Sequence, residues 1–270
     1  MWWFGGNLLR RLSASLLAFA AVAAFAGAAD AASPAPNWTG FYIGGNVGGV
    51  ASRSSGTSDF LDPSAPPGLT SNPQSNSFNN SSFIGGVQAG YNWQFAPRWV
   101  AGVEADWDWT RVSYDFCRQT DIFSVACTDN GFGFQSMSSK TDWLATLRGR
   151  LGFTVADFLL YATGGVALGH VETTITQSCL VAGCGNSVTI RLTQGDSSTD
   201  KVGWVAGLGA EYAFNSNWSA RAEWLYVDLG TINSTLVAST PDVAPPTQTG
   251  TWSRSERYNQ FRVGVNYHFH

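Results

Sequence analysis

The stretch WVAGVEADWDWT at residues 99–110 decides the fold, because from Ala101 onwards its side chains alternate between an apolar and a more polar set. One set of side chains is Trp99, Ala101, Val103, Ala105, Trp107 and Trp109, and the other is Gly102, Glu104, Asp106, Asp108 and Thr110. A period of two residues is that of a β-strand, whose successive side chains point to opposite faces. The segment is therefore predicted to be a strand that separates an apolar environment from a polar one.

The same alternation recurs along the chain, so the sequence predicts eight strands. Their expected limits are 38–50, 82–95, 99–115, 140–153, 158–176, 201–214, 218–232 and 257–269. Three connections are short, at 96–98, 154–157 and 215–217, whereas the other four are rich in Ser, Thr, Asn, Gly and Pro. Those four each span about 20 to 30 residues, and such an alternation of short and long connections is typical of outer-membrane barrels. We therefore predict an all-β fold, a transmembrane up-and-down antiparallel β-barrel of eight strands with short periplasmic turns and four long external loops.

Aromatic residues are sorted by height in this scheme, as expected for the two interfaces of a membrane. One set lies next to the short turns and comprises Trp38, Trp99, Trp218, Phe95, Phe153, Phe214 and Phe269. A second set lies nearer the long loops and comprises Trp107, Trp109, Trp143, Trp204 and Trp224. Prolines at 63, 66, 67 and 73 in the first loop, and at 241, 245 and 246 in the fourth, argue against regular strand pairing there.

The first residues indicate export. Arg10 and Arg11 precede an apolar run at 12–25, and small residues follow at 26–32, which is the order found in secretory signal peptides. The run is shorter than the roughly 20 residues that a membrane-spanning helix needs. We predict a Sec signal peptide at 1–31, cleaved within 28–32, followed by a barrel domain at 32–270. The expected location is the cell outer membrane of a Gram-negative bacterium.

Composition agrees with strands that face lipid. The chain holds 30 Gly and 12 Trp but only 15 Lys and Arg, which is unusual for a soluble enzyme. Its net charge of -4 argues against nucleic acid as a partner.

Four cysteines lie in two close pairs within polar segments, Cys117 with Cys127 and Cys179 with Cys184. Because an exported chain meets an oxidising compartment, we predict one local disulfide in each of two loops. Four cysteines permit three connectivities, and free thiols are the alternative. The spacings are not those of a zinc site.

Several segments together resemble the alphaproteobacterial opacity-type outer-membrane barrels, often called porin-family proteins. The resemblance starts with NWTGFYIGGN at 37–46 and continues at 143–152, 161–169, 203–212 and 218–230. It implies eight strands, an outer-membrane location and roles in envelope integrity, surface antigenicity or, in some members, haem binding. It implies no catalytic residue.

The C-terminal residues carry the expected assembly signal. Outer-membrane barrels of the family usually end on an aromatic residue that the barrel-assembly machinery reads, and here Tyr267 and Phe269 continue the alternation while His270 follows them. The expected partners are this machinery during biogenesis and outer-membrane lipid and lipopolysaccharide afterwards. The ligand of the loops, if any, is not determined by the sequence.

Eight charged residues lie on the polar face of the predicted strands, at a similar height above the short turns. They are Glu104, Asp106, Arg148, Arg150, Glu211, Arg221, Glu223 and Arg262. Glu104 and Asp106 on the third strand face the two arginines of the fourth, and Glu223 on the seventh faces Arg262 on the eighth. The interior of an eight-stranded barrel is just wide enough for side chains to fill. We predict a closed ion-pair network in the lumen, with a gated narrow pore as the alternative.

The function predicted from these features is that of a non-enzymatic outer-membrane barrel that supports envelope integrity and presents loops at the surface. The alternatives are a small passive porin-like channel and a surface receptor, adhesin or haem-binding protein acting through its loops. His170 with Glu172 is the one candidate pair for catalysis or haem ligation, and a solvated histidine at a strand end is the preferred interpretation. We therefore predict no catalytic residue, no cofactor and no metal site.

Overall fold

The fold is a closed barrel of eight antiparallel strands. The computed structural model describes residues 36–61, 74–119, 134–179, 191–240 and 243–269. Its strands are β1 (Gly40–Leu61), β2 (Gln74–Ala96), β3 (Trp99–Gln119), β4 (Phe134–Val155), β5 (Phe158–Cys179), β6 (Arg191–Ala213), β7 (Trp218–Thr240) and β8 (Val243–Phe269). Each strand pairs with its neighbours in sequence, and β8 closes the barrel against β1. The predicted signal peptide lies outside the described residues. In the described part of the chain, no helix is long and apolar enough to cross a membrane.

The structure confirms the fold class, the number of strands and the three short turns, but the strands are longer than predicted. They extend towards the external side into segments expected to be loops, so that only 62–73, 120–133, 180–190 and 241–242 remain between them. The prediction ended each strand where its alternation ends. Beyond the membrane the outer face of a strand contacts water and its inner face also carries polar side chains, such as Ser54 and Glu256, so the strand continues without an alternation of apolar and polar residues.

The prolines of the fourth predicted loop show how far this extension goes. β8 includes Pro245 and Pro246, yet its register with β7 is irregular there, because Ala238 pairs with Gln248 whereas Thr240 pairs with Val243. Proline has no N–H to donate to a strand ladder, which accounts for the irregularity.

Pairing between strands is not equally long all round the barrel. Among the described residues, β2 and β3 pair no further out than Ile84 with Thr110, and β6 and β7 no further than Trp204 with Asp228. The other neighbouring pairs continue outwards. The external part of the barrel therefore consists of two four-stranded sheets, β7–β8–β1–β2 and β3–β4–β5–β6.

The outer surface of the wall is an apolar band with a charged upper edge. Large apolar side chains such as Phe83, Leu147 and Phe261 are exposed on it. Further out, the residues that face outwards become charged or titratable on most strands, namely Arg53, Arg111, Lys140, His170, Asp200, Asp228 and Arg257. This change marks the level at which the wall leaves the hydrocarbon region of the membrane.

Two neighbouring glycines of β1 differ in the room around them. A Cβ added to Gly48 would overlap the carbonyl oxygen of Phe261 and lie 2.9 Å from the Cα of Arg262 on β8. A Cβ added to Gly49, which faces outwards, would meet nothing within 4 Å. The close approach of β1 and β8 at Gly48 thus excludes a side chain on the lumen side only.

We predict that Gly48→Ala lowers the free energy of unfolding by about 1–3 kcal/mol, because the added methyl group must displace backbone. The matched control Gly49→Ala should change it by less than about 0.5 kcal/mol. Urea titrations followed by tryptophan fluorescence, on protein refolded into phosphatidylcholine vesicles, measure both. Equal losses in the two variants would contradict the close approach seen in the structure.

Candidate functional site in the barrel lumen

The lumen contains a network of buried ion pairs centred on Arg148. One guanidinium nitrogen of Arg148, Nη1, donates to Glu223 at 2.9 Å. The other, Nη2, donates to Asp106 at 2.7 Å and also to Glu104. Arg148 is 1% exposed, so three carboxylates from two strands surround a cation that has no access to solvent. β3 supplies Glu104 and Asp106, and β7 on the opposite wall supplies Glu223, so the network spans the barrel.

The other three arginines extend the network in both directions. Arg221 donates to Glu104 and, at 2.6 Å, to Glu223. Arg150 lies nearer the periplasmic end and donates to Glu211 at 3.2 Å. The structure thus brings together all eight residues that were singled out in the sequence, including Arg262, which donates to Glu223 at 2.6 Å and to Asp106 at 3.1 Å.

Asp108 is a ninth member that the sequence analysis did not include. It accepts a hydrogen bond from Arg262 and is 1% exposed. With Asp108 the network contains five carboxylates and four arginines. The alternation of β3 does place Asp108 on the lumen side, but its height above the turns lies beyond the layer that was considered.

Neutral polar groups donate further hydrogen bonds to the carboxylates. The hydroxyl of Tyr42 donates to Glu104 at 2.5 Å, and that of Thr146 donates to Asp106 at 2.6 Å. Near the periplasmic end, Glu211 accepts from the side-chain amide of Asn266 at 2.8 Å. Its Oε1 also lies 3.1 Å from Nε2 of His268. Buried charges are tolerated when they are paired and hydrogen-bonded in this way.

Apolar side chains close the lumen on both sides of the charged layer. The periplasmic end is filled by Trp38, Val100, Leu159 and Tyr161, with Ala213 packed against them. Trp38 was expected to mark the membrane interface, but it is 2% exposed because its ring turns into the barrel. It contacts the ring of His268 edge-on, with the ring centroids 5.7 Å apart.

The external side of the charged layer is a larger apolar cluster, which the sequence analysis missed. It comprises Val50, Ile84, Val112, Leu144, Ala167, Val171, Val205, Leu225, Val227, Leu229, Ile232 and Tyr258. The signal for it is present on β7, where the lumen phase runs Arg221, Glu223, Leu225, Val227 and Leu229. The lumen face therefore changes from charged to apolar along a single strand. The prediction treated the lumen face of each strand as polar along its whole length, and so it did not include this change.

A bulge in β7 keeps this cluster packed. The register with β8 shifts between Asp228 and Thr231, and Gly230 adopts a φ of 73° with its N–H bonded to the Asp228 carboxylate at 2.8 Å. A left-handed glycine is the residue that such a bulge needs. As a result Leu229 and Ile232, three positions apart, both face the lumen.

A smaller polar group lies above the apolar cluster. Arg254 pairs with Glu256, donates to the Ser139 hydroxyl at 2.8 Å and lies 4.5 Å from the ring centroid of Tyr114. The Tyr114 hydroxyl in turn donates to Glu256 at 2.8 Å. These contacts join the two external sheets, since Ser139 and Tyr114 belong to one and the Arg254–Glu256 pair to the other.

His170 lies on the outside of the wall, at the upper edge of the apolar band. Its Nδ1 is 2.7 Å from Asp200 and its Nε2 is 3.6 Å from Glu172. Its ring stacks on that of Trp143 with centroids 6.1 Å apart. The residue considered for catalysis or haem ligation is thus outside the lumen, beside two carboxylates.

The structure describes the two aromatic residues of the predicted assembly signal fully, but the four cysteines only in part. Tyr267 and Phe269 face outwards at the periplasmic end, where their rings lie 5.0 Å apart. Of the cysteines, those at 127 and 184 lie outside the described residues, and only the backbone is described at 117 and 179. The disulfides therefore stay a prediction.

A closed barrel with an apolar outer band and a buried charged interior is the architecture of a transmembrane β-barrel. Comparison with known proteins agrees with this class. A family model described as the outer membrane protein beta-barrel domain matches residues 14–269. The chain belongs to this family of outer-membrane proteins.

Relatives of the chain are outer-membrane proteins of alphaproteobacteria. The 31 kDa outer-membrane immunogenic protein of Brucella melitensis is 32% identical over 237 residues, which cover 86% of this chain and 84% of the relative. The 22 kDa outer membrane protein of Rhizobium leguminosarum is 26% identical, covering 87% and 80%. Among solved structures, the outer membrane protein OprG of Pseudomonas aeruginosa matches with 15% identity and a TM-score of 0.45, covering 87% of this chain and 99% of OprG. The family and the two named relatives locate the protein in the outer membrane.

We predict that Arg148→Met lowers the free energy of unfolding by about 3–5 kcal/mol, because it leaves buried carboxylates without their cation. Urea titration in vesicles measures the change. The control Lys140→Met removes a cation whose pair with Asp142 is largely exposed, and it should cost less than about 1 kcal/mol. If the Arg148 variant lost no more stability than the Lys140 variant, the network would not be a structural element of the barrel.

Proposed function

We propose that this protein is a closed, non-enzymatic barrel that strengthens the outer membrane and presents its external connections at the cell surface. The observation that carries the proposal is the filling of the lumen by three consecutive layers, in the order apolar, charged and apolar. Closure by several layers favours a structural role over a passive channel, which needs a continuous hydrated path.

Each layer opposes ion flow for its own physical reason. In the charged layer, Arg148 and Arg221 hold carboxylates from opposite walls, so opening it would separate buried ion pairs. In the external apolar cluster, side chains such as Leu225 and Val227 are fully buried, and hydrophobic constrictions exclude water and ions. Opening one layer alone would leave the other closed.

Surface presentation is supported by the two external sheets and by the relatives. The sheets project beyond the apolar band and carry the connections at 62–73, 120–133, 180–190 and 241–242. The Brucella melitensis relative is named as an immunogenic outer-membrane protein. We infer that this chain likewise presents its external connections outside the cell. Assembly into the membrane would use Tyr267 and Phe269 as the terminal aromatic signal, and the predicted disulfides would tie two of the connections.

We predict that the wild-type protein shows no discrete current steps in a planar bilayer, because no hydrated path crosses the three layers. Insertion is verified separately by protection of the barrel from protease in the same lipid. Single-channel recording of wild type, Arg148→Met and Lys140→Met gives the comparison. Discrete steps in the wild type that change with Arg148 but not with Lys140 would make the charged layer a gate and the protein a small porin.

The structural role has a separate test in cells. We predict that a strain lacking this protein becomes more sensitive to bile salts and detergents, and that the wild-type protein, which carries no current, restores resistance. A closed barrel acts through its presence in the membrane, so current is irrelevant to rescue. Unchanged sensitivity of the deletion strain would refute the envelope role while leaving the closed lumen intact.

A further inference from the structure

Two arginines stand directly opposite each other on the outside of the barrel wall. Arg53 on β1 and Arg257 on β8 are register partners, and both side chains are exposed. Directly opposite residues on neighbouring strands have Cβ atoms only about 4.5–5.5 Å apart, and like charges in such a pair are destabilising. The wall therefore carries a local concentration of positive charge that its own fold does not require.

The pair lies at the level where the wall leaves the hydrocarbon region. Below Arg53 the outward residues of β1 are small or apolar, ending with Ala51. On β8 the last large apolar side chain is Phe261, which is 61% exposed, and Asn259 separates it from Arg257. The guanidinium groups are thus positioned at the height of the outer-leaflet headgroups.

The protein itself neutralises only part of the positive charge of Arg53 and Arg257. Arg257 has an ion pair with Asp228 at 3.2 Å, but Arg53 forms no ion pair with any residue that the structure describes. Arg111, exposed on β3 at the same edge of the band, adds further positive charge on this side.

The other exposed cation at the edge of the band has a different environment. Lys140 on β4 is 2.7 Å from Asp142 and is the register partner of Glu172 on β5. On that side of the barrel Asp200 adds another outward carboxylate. Cations therefore exceed carboxylates only on the wall formed by β7, β8, β1, β2 and β3, where three outward arginines accompany Asp228 and, further out, Asp115.

We propose that Arg53 and Arg257 form a binding site for the phosphate group of an outer-leaflet glycolipid, the lipid A part of lipopolysaccharide. A phosphate monoester fits because guanidinium groups bind its oxygens through paired, charge-assisted hydrogen bonds. One phosphate between the two arginines would remove their mutual repulsion. Its acyl chains would lie along the apolar band below.

The test uses the full chain refolded in detergent micelles, with bisphosphorylated lipid A and with dephosphorylated lipid A as probes. Binding is followed through tryptophan fluorescence and through the rise in unfolding temperature. We expect Arg53→Gln to weaken binding of the phosphorylated lipid on the order of tenfold, since one charge-assisted contact is lost. Lys140→Gln is the matched control and should bind as the wild type does.

Three results would overturn the site. The first is equal affinity of the Arg53 and Lys140 variants for phosphorylated lipid A. The second is equal affinity of the wild type for the dephosphorylated lipid, which would leave only acyl-chain contacts. The third is full displacement by millimolar inorganic phosphate, which would indicate a general anion site. Because Arg53 is exposed, its substitution leaves the lumen unchanged, and an unfolding temperature without lipid that does not fall below the wild-type value verifies this.

Discussion

The structure depends on the requirement that every backbone N–H and C=O group in the hydrocarbon region be hydrogen-bonded within the protein. Strands meet this requirement only if the sheet has no free edge, so β8 must pair with β1. Closure then divides the side chains into an outer set that faces lipid and an inner set that faces a narrow lumen. The alternation of residues 99–110 is the local consequence of that division.

Closing a barrel with eight strands also determines what the inner set must do. The space is just large enough for side chains, so whatever faces inwards is packed and removed from solvent. Charged residues placed there have to be paired, and Arg148, Arg221 and Arg262 each contact carboxylates from more than one strand. Apolar residues placed there form a core of the ordinary kind. The lumen of this protein contains paired charges and packed apolar side chains in successive layers, and for this reason we regard it as closed.

The outer surface of the wall faces hydrocarbon in its lower part and lipid headgroups and water further out. Apolar side chains cover the part that faces hydrocarbon, and charged residues begin where that part ends. Their distribution round the barrel is uneven: one side has three arginines with Asp228 and Asp115, and the other has Lys140 with Asp142, Glu172 and Asp200. Such unevenness has no role in closing the barrel, and it is the basis for the glycolipid site proposed on the basic side.

The sequence by itself determined the fold class, the strand number, the short turns and the eight charged residues of the lumen, because the side-chain period and the height above each turn are local properties. It did not determine the strand ends, since beyond the membrane polar side chains occupy both the outer face and the buried inner face, so no alternation marks the strand. It also did not reveal the apolar cluster above the charges, Asp108 within the network, or the inward turn of Trp38. The apolar cluster and the inward position of Asp108 have a signal in the alternation of single strands, whereas the contact of Asp108 with Arg262 and the opposition of Arg53 and Arg257 depend on how strands distant in sequence meet, and only the closed barrel specifies that.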